Sequence, residues 1–252
     1  MNPEPTRTLK LTLQYDGTDY VGWQRQPNGT SIQGLIEDAL APIEGTAATL
    51  HGAGRTDAGV HALGQVASTR AVTTLEPPTL ARALNAVLPA DVRVLNVEEA
   101  DPDFHARFHA RSKTYEYRIV NAPLVSAFLH RYVWHVPQPL DIEAMRTAAG
   151  PLVGRHDFAG FQGAGSDVAS TERTILDLDV EDGGGFDLPI VIRITGDGFL
   201  RHMVRNIVGT LVEVGCGRWD PWRLLAVLES RDRTDAGPTA PARGLFLSHV
   251  TY

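Results

Sequence analysis

Apolar and polar residues alternate through Leu9-Lys10-Leu11-Thr12-Leu13-Gln14-Tyr15, the period of a strand with one buried face, and Asp16-Gly17 supplies the turn that ends it. The period then lengthens. Ile32, Leu35, Ile36, Ala39 and Leu40 recur on one helical face; Thr30 followed by Gln33 has capping-box spacing, and Pro42 should stop the helix at about Ala41. Gln65 to Thr69 reads as a strand. From Thr79 a second helix would turn Leu80, Ala83, Leu84, Val87 and Leu88 inward and end at Pro89, after which Asp91 to Val97 alternates again. Strand, helix, strand, helix, strand predicts an α+β sheet with its helices on one side.

Asp101-Pro102-Asp103 reads as a hinge dividing the chain into halves at 1–103 and 104–252. In the second half Ser112 to Val120 is an alternating strand with Tyr115, Tyr117 and Ile119 on one face and Thr114, Glu116 and Arg118 on the other. His130 to Val136 reads as a further strand, and Asp141 should cap a helix through Ala149. Glu172 to Val180 and Leu188 to Thr195 flank Asp182-Gly183-Gly184-Gly185 as a hairpin. The widest apolar arc belongs to a helix expected from Phe199 to about Val214, with Arg201 and Arg205 four apart at its edge. Asp220-Pro221 should start a last helix, and Leu245 to Tyr252 is the closing strand.

Composition narrows the class. At 252 residues and 43% hydrophobic, the chain can bury one large core or two modest ones. It has no apolar run long enough to span a bilayer, and its first residues lack the apolar core of a signal peptide, so the cytoplasm is the expected place. A single cysteine, Cys216, excludes an internal disulfide and a cysteine-rich zinc site. The net charge of −7 means that any RNA-binding surface must be local. One segment qualifies. Phe104 to Arg118 holds Arg107, Arg111, Lys113 and Arg118 against one acid, Glu116, with aromatic residues between them, a pattern suited to phosphate contact and base stacking or to a solvated strand end.

Candidate chemistry centres on Leu50-His51-Gly52-Ala53-Gly54-Arg55-Thr56-Asp57-Ala58-Gly59-Val60-His61-Ala62. Glycines on either side of Arg55-Thr56-Asp57 allow a sharp bend that lifts a charged pair, either as a site or as an Asx-turn capping its own backbone. The spacing matches neither a dinucleotide fingerprint nor a P-loop. His156-Asp157 suggests a dyad, yet neighbours in an extended chain point apart, which favours a structural role. His105 and His109 sit four apart without the glutamate or third ligand of a zinc site. Arg233-Thr234-Asp235-Ala236-Gly237 repeats residues 55–59, but Pro238, Pro241 and Gly244 mark its surroundings as a closing loop.

Gly-Arg-Thr-Asp-Ala-Gly-Val-His-Ala at 54–62 resembles the active-site signature of TruA-type tRNA pseudouridine synthases, whose essential aspartate would fall on Asp57. The resemblance extends along the chain: Tyr15 to Gln26, Lys113-Thr-Tyr-Glu-Tyr-Arg118 with the family tyrosine at Tyr115, His156-Asp157-Phe158 with Phe161-Gln162, Gly198 to Gly209, and Ala240 to Leu245. Glu116 is a mild departure. The resemblance implies Asp57, Arg205 and Tyr115 as catalytic residues, with Arg205 pairing with Asp57 and Tyr115 stacking on the uracil. Arg55, Arg107, Arg111, Lys113, Arg201 and His202 join Tyr115 as candidate substrate contacts. It further implies two similar α+β halves forming a continuous, mostly antiparallel sheet with helices on one face and a central cleft. The substrate would be the tRNA anticodon stem-loop at positions 38 to 40, the enzyme a homodimer, and no cofactor would be required. A non-catalytic RNA-binding module and a small-molecule hydrolase using His156 and Asp157 are the rival readings.

Overall fold

The computed structural model describes residues 6–165, 168–183 and 185–252, which form two compact units, one of residues 6–111 with 247–252 and one of the described residues between 112 and 246. The first unit is built on β1 (Arg7–Tyr15), whose Leu9, Leu11 and Leu13 are fully buried as the alternation requires. β1 lies between β3 (His61–Ala71) and β4 (Val92–Ala100), antiparallel to both, with Leu11 opposite Ala67 and Val97. On the side of β3 away from β1 lie both a two-residue β2 (His51–Gly52) and residues 247–251 of β10 (Leu245–Thr251). α1 (Ile32–Glu44) and α2 (Pro77–Val87) pack on each other, and α2 packs on β4.

The second unit runs β5 (Ser112–Val120), β9 (Ile190–Gly196), β8 (Glu172–Glu181) and β7 (Gly154–Asp157), all antiparallel, with a two-residue β6 (Trp134–His135) parallel to β5. Tyr115 lies opposite Ile194 and Tyr117 opposite Ile192. α3 (Ile142–Ala149), capped by the Asp141 carboxylate, packs on β8 and on α4 (Met203–Gly215), and α5 (Arg223–Ser230) packs on both helices. Both units mix helices with mostly antiparallel strands, the expected α+β class. Gly184, in the turn expected between β8 and β9, lies outside the described residues.

Several boundaries differ from the sequence reading. α1 is capped by Ser31, whose hydroxyl accepts from the Gly34 N–H at 3.2 Å, while Gln33 turns inward and donates to the Leu50 carbonyl. The helix continues through Pro42 because Asp38, whose carbonyl the proline leaves unpaired, is exposed to water; Gly45 ends it at φ 68°. α2 starts two residues early, with proline in its first turn, and its Val87 is 68% exposed rather than inward. The His130–Val136 strand shrinks to Trp134–His135 because backbone bonds from Leu129, His130 and Tyr132 back to Ser126 and Leu129 curl the chain. α4 starts at Met203, not Phe199, so Arg201 precedes the helix. α5 likewise begins two residues past Pro221, although Asp220 does accept from the Trp222 N–H.

Candidate functional site

Asp57 stands on a turn assembled from backbone bonds. After β2 the Ala53 N–H donates to the Val66 carbonyl at 2.7 Å, and the Gln65 side chain donates to the Gly54 carbonyl at 2.9 Å. The Val60 N–H then closes back on the Asp57 carbonyl at 3.1 Å, with Gly59 at φ 75°, the third position that a type II turn reserves for glycine. Between the charged residues Thr56 is buried, its hydroxyl 2.8 Å from that of Tyr15, so Arg55 and Asp57 are presented away from this anchor; Arg55 is exposed and Asp57 half-buried. Burial pushes the Tyr15 phenol up to about 12, against the hydrogen bonds of Thr56 and Gln65, so it stays protonated at neutral pH.

The segment after β1 walls this turn. The Trp23 N–H donates to the Thr56 carbonyl at 3.0 Å, and Gln24 accepts from the Arg55 Nε at 3.1 Å. Gly22, at φ 106°, approaches so closely that a Cβ there would lie 2.5 Å from the Thr56 oxygen. Trp23 itself is core, 2% exposed. Sequence reasoning missed Tyr15 and Gln65 as supports because each, alone, reads as an ordinary strand position.

In the second unit the structure separates two tyrosines that the alternation could not. The Tyr117 hydroxyl donates to the Pro241 carbonyl at 2.7 Å. Burial raises its pKa, opposed by the positive charges of Arg205 and Arg243, which places both arginines near that ring. Tyr115, 7% exposed, meets Phe199 edge-on with centroids 5.0 Å apart. Arg205, in the first turn of α4, is half-buried and tied to one residue twice: its Nε donates to the Ala240 carbonyl at 2.7 Å, and its own carbonyl accepts the Ala240 N–H at 3.1 Å. The first bond holds the Nε end of the guanidinium, and the second holds the backbone beneath it.

Ahead of α4, Arg201 is exposed and donates to the carbonyls of Ala164 and Gly165, and His202, at φ 59°, lies against Gly163. An open groove of about 550 Å³ lies beside this loop, lined by Gln162, Gly163, Ser230, Arg231 and Arg233 among others, and includes neither Tyr115 nor Arg205. Lys113 is half-buried at the start of β5. Arg107 and Arg111 belong to the first unit, where residues 104–111 form turns bonded to the chain end: the Arg111 N–H donates to Thr251 and the Tyr252 hydroxyl to Ala106, both at 2.8 Å. Here His51, His105 and Phe108 stack in series with Arg107 over an exposed Phe108. His105 is held below its ordinary range by burial and the neighbouring His51.

The other sequence candidates serve the fold. His156 contacts the Val153 carbonyl, while the Asp157 carboxylate accepts from the Thr171 hydroxyl and the Ala159 N–H and lies 3.3 Å from Arg231. Its pKa is lowered, chiefly by the Thr171 bond. The repeated Arg233 donates to Asn206 and Thr239, and Asp235 pairs with Arg223. Asn206, fully buried, was not singled out in the sequence; it also donates to the Phe161 carbonyl, and only its polarity amid an apolar helix pattern marks it. Among the described residues no helix is long and apolar enough to cross a membrane.

A family model described as tRNA pseudouridine synthase matches residues 12–109 and 148–252. A Moorella thermoacetica protein named tRNA pseudouridine synthase A is 50% identical over 248 residues, spanning 97% of this chain and 99% of that protein. Proteins of the same name are 47% identical in Myxococcus xanthus, spanning 97% of this chain and 91% of that protein, and 46% identical in Pelobacter propionicus, spanning 98% and 100%.

Proposed function

The chain belongs to the tRNA pseudouridine synthase family and is an isomerase that acts on tRNA; on that premise we propose that it converts uridine to pseudouridine at positions 38 to 40 of the anticodon stem-loop, without a cofactor, with Asp57 as the essential carboxylate. The reaction breaks the uridine N1–C1′ bond, turns the base and rejoins it through C5, so atoms and electrons balance within one nucleotide. The observation that carries the proposal is the Asp57 turn, whose backbone closes on itself while buried Thr56 anchors it to Tyr15. A carboxylate on so constrained a support can be held to the tolerance that attack on a sugar or base, or removal of a sugar proton, demands.

Arg205 is the counter-charge we assign to Asp57 in the RNA complex, its orientation set by Ala240. Tyr115 stacks on the uracil, and Arg55 supports the extruded nucleotide, whose unstacking requires a few kcal/mol, roughly, from backbone contacts elsewhere. Arg107, Arg111, Lys113, Arg201 and His202 are assigned to those contacts. The resemblance further supports a cytoplasmic homodimer, which sedimentation checks. Incubation with tRNA tritiated at uridine C5 tests the whole: tritium should pass to water, and Asp57→Asn should abolish its release. Undiminished release from that variant would remove Asp57 from the chemistry.

A further inference from the structure

We propose that His61 is a positioning residue for the Asp57 carboxylate; the proposal rests on the reading of Asp57 as the essential acid and gives a role to a buried ring that the chemistry itself does not use. His61 is 1% exposed at the start of β3, one residue beyond the turn that Val60 closes. Its Nδ1 faces the bend after β1, 3.0 Å from the Gly17 N–H and 3.1 Å from an Asp16 carboxylate oxygen. A bare Nδ1 accepts from Gly17, and a protonated one donates to Asp16, so in either state the ring ties strand β3 to the same bend.

That bend touches the turn directly. A Cβ at Gly17 would lie 2.0 Å from the Val60 oxygen, so the two backbones are pressed together and the Val60 peptide has no room to shift toward the bend. The same bend is fixed from its far side, where the Asp16 N–H donates to Asp91 at 2.9 Å and the Asp16 carboxylate accepts the Thr18 N–H at 3.0 Å. His61 therefore closes a short ring of contacts: bend, Val60, the Asp57 turn, and back through β3. Without the polar tie the bend keeps its bonds to Asp91 and Thr18 but loses its hold on β3, so Val60 is walled less firmly and the turn presenting Asp57 gains freedom.

The test compares two variants that separate the polar atom from the ring volume. His61→Asn puts a carboxamide oxygen or nitrogen where Nδ1 stands, able to accept from Gly17 or donate to Asp16, but leaves a void. His61→Phe fills the volume and ties nothing. Tritium release at saturating tRNA gives kcat, filter binding gives Kd for the same tRNA, and thermal unfolding gives stability for each preparation. His61→Phe should lose about 10- to 100-fold in kcat with Kd within about two-fold of the parent. His61→Asn should recover most of that kcat while unfolding at a lower temperature, because the missing ring atoms leave a cavity. Activity that follows stability, with His61→Phe at least as fast as His61→Asn, would overturn the proposal, as would a loss seen in Kd and not in kcat. Asp57→Asn, run alongside, keeps the failures apart: its retained turnover would sink the reading underneath, whereas an inactive Asp57→Asn with equal His61 variants would sink this inference alone.

Discussion

Gly22→Ala should slow the enzyme far more than it unsettles the fold. An alanine Cβ at this position would stand 2.5 Å from the Thr56 oxygen, 3.0 Å from the Asp57 carbonyl carbon and 3.2 Å from the Ala58 nitrogen. To reach ordinary contact at about 3.4 Å the Thr56 carbonyl must retreat by about 0.9 Å, and Asp57 is the next residue along. Misplacement near 1 Å at a reacting group lowers turnover by about 100-fold. The strain of a non-glycine residue at φ 106° adds a stability penalty of about 1–3 kcal/mol, a fall in Tm of roughly 3–10 °C for a chain of this size. Gly45→Ala is the control, since Gly45 shares the left-handed backbone, φ 68°, but a Cβ there meets nothing within 4 Å. It should lose a comparable Tm and keep its kcat. Tritium release and thermal unfolding on both variants decide the matter: Gly22→Ala with kcat within about three-fold of the parent would show that the wall after β1 does not position Asp57.

Tyr15, about 12 when folded against 10.0 as an ordinary phenol, keeps its proton where the unfolded chain has lost it, so its contribution is whole below pH 10 and falls as pH rises toward 12, by about 1.4 kcal/mol per pH unit. Urea midpoints at about pH 9 and about pH 11 should differ less for Tyr15→Phe than for the parent. Asn206→Ala strands the Phe161 carbonyl, the Thr239 hydroxyl and an Arg233 N–H in or near the core and should cost about 3 kcal/mol, a fall in Tm of roughly 10 °C by calorimetry. Tyr117→Phe should cost about 1–3 kcal/mol in urea unfolding by orphaning the Pro241 carbonyl while leaving kcat in place. Tyr115→Phe keeps the ring assigned to stack on the uracil and should hold most of its kcat in the tritium assay, whereas Tyr115→Leu should lose it.

The elements that were legible in the sequence are those whose own side chains carry the signal. β1 and β5 alternate because one face of each is buried, and the structure buries Leu9, Leu11, Leu13, Tyr115, Tyr117 and Ile119 as the pattern requires. Asp141 caps α3 by a bond to a residue three positions away, so a local rule suffices. The misses depend on distant partners. Phe199 and Leu200 extend the apolar period of α4 yet precede it, because Phe199 packs from the segment between β9 and α4 against Tyr115, far away in sequence. Pro42 failed as a stop because its effect depends on whether the unpaired carbonyl can reach water. Asp57 was found through a nine-residue resemblance; its supports, Tyr15, Gln65 and the wall at Gly22, come from elements whose pairing the sequence does not state.

The two copies of Arg-Thr-Asp-Ala-Gly show why the surroundings of a motif, more than the motif, make a site. At 55–59 the threonine is buried against Tyr15, Gly54 and Gly59 flank the charged pair, and Arg55 lies exposed with its Nε toward Gln24. At 233–237 the preceding residue is Asp232, whose carboxylate accepts both the N–H and the hydroxyl of Thr234 at 2.8 Å, and the chain coils into a short 3-10 turn instead. The arginine is then drawn to Asn206 and Thr239, the aspartate to Arg223 at 3.1 Å, and Pro238 packs its carbonyl against Gly209 of α4. Both charges of the second copy hold its own unit together, so Arg233→Ala should lower Tm, while Arg55→Ala should leave Tm near the parent and weaken tRNA binding in a filter assay. Equal stability losses in the two variants would mean that the first copy, too, serves the fold, and that its resemblance to an active-site signature had misled.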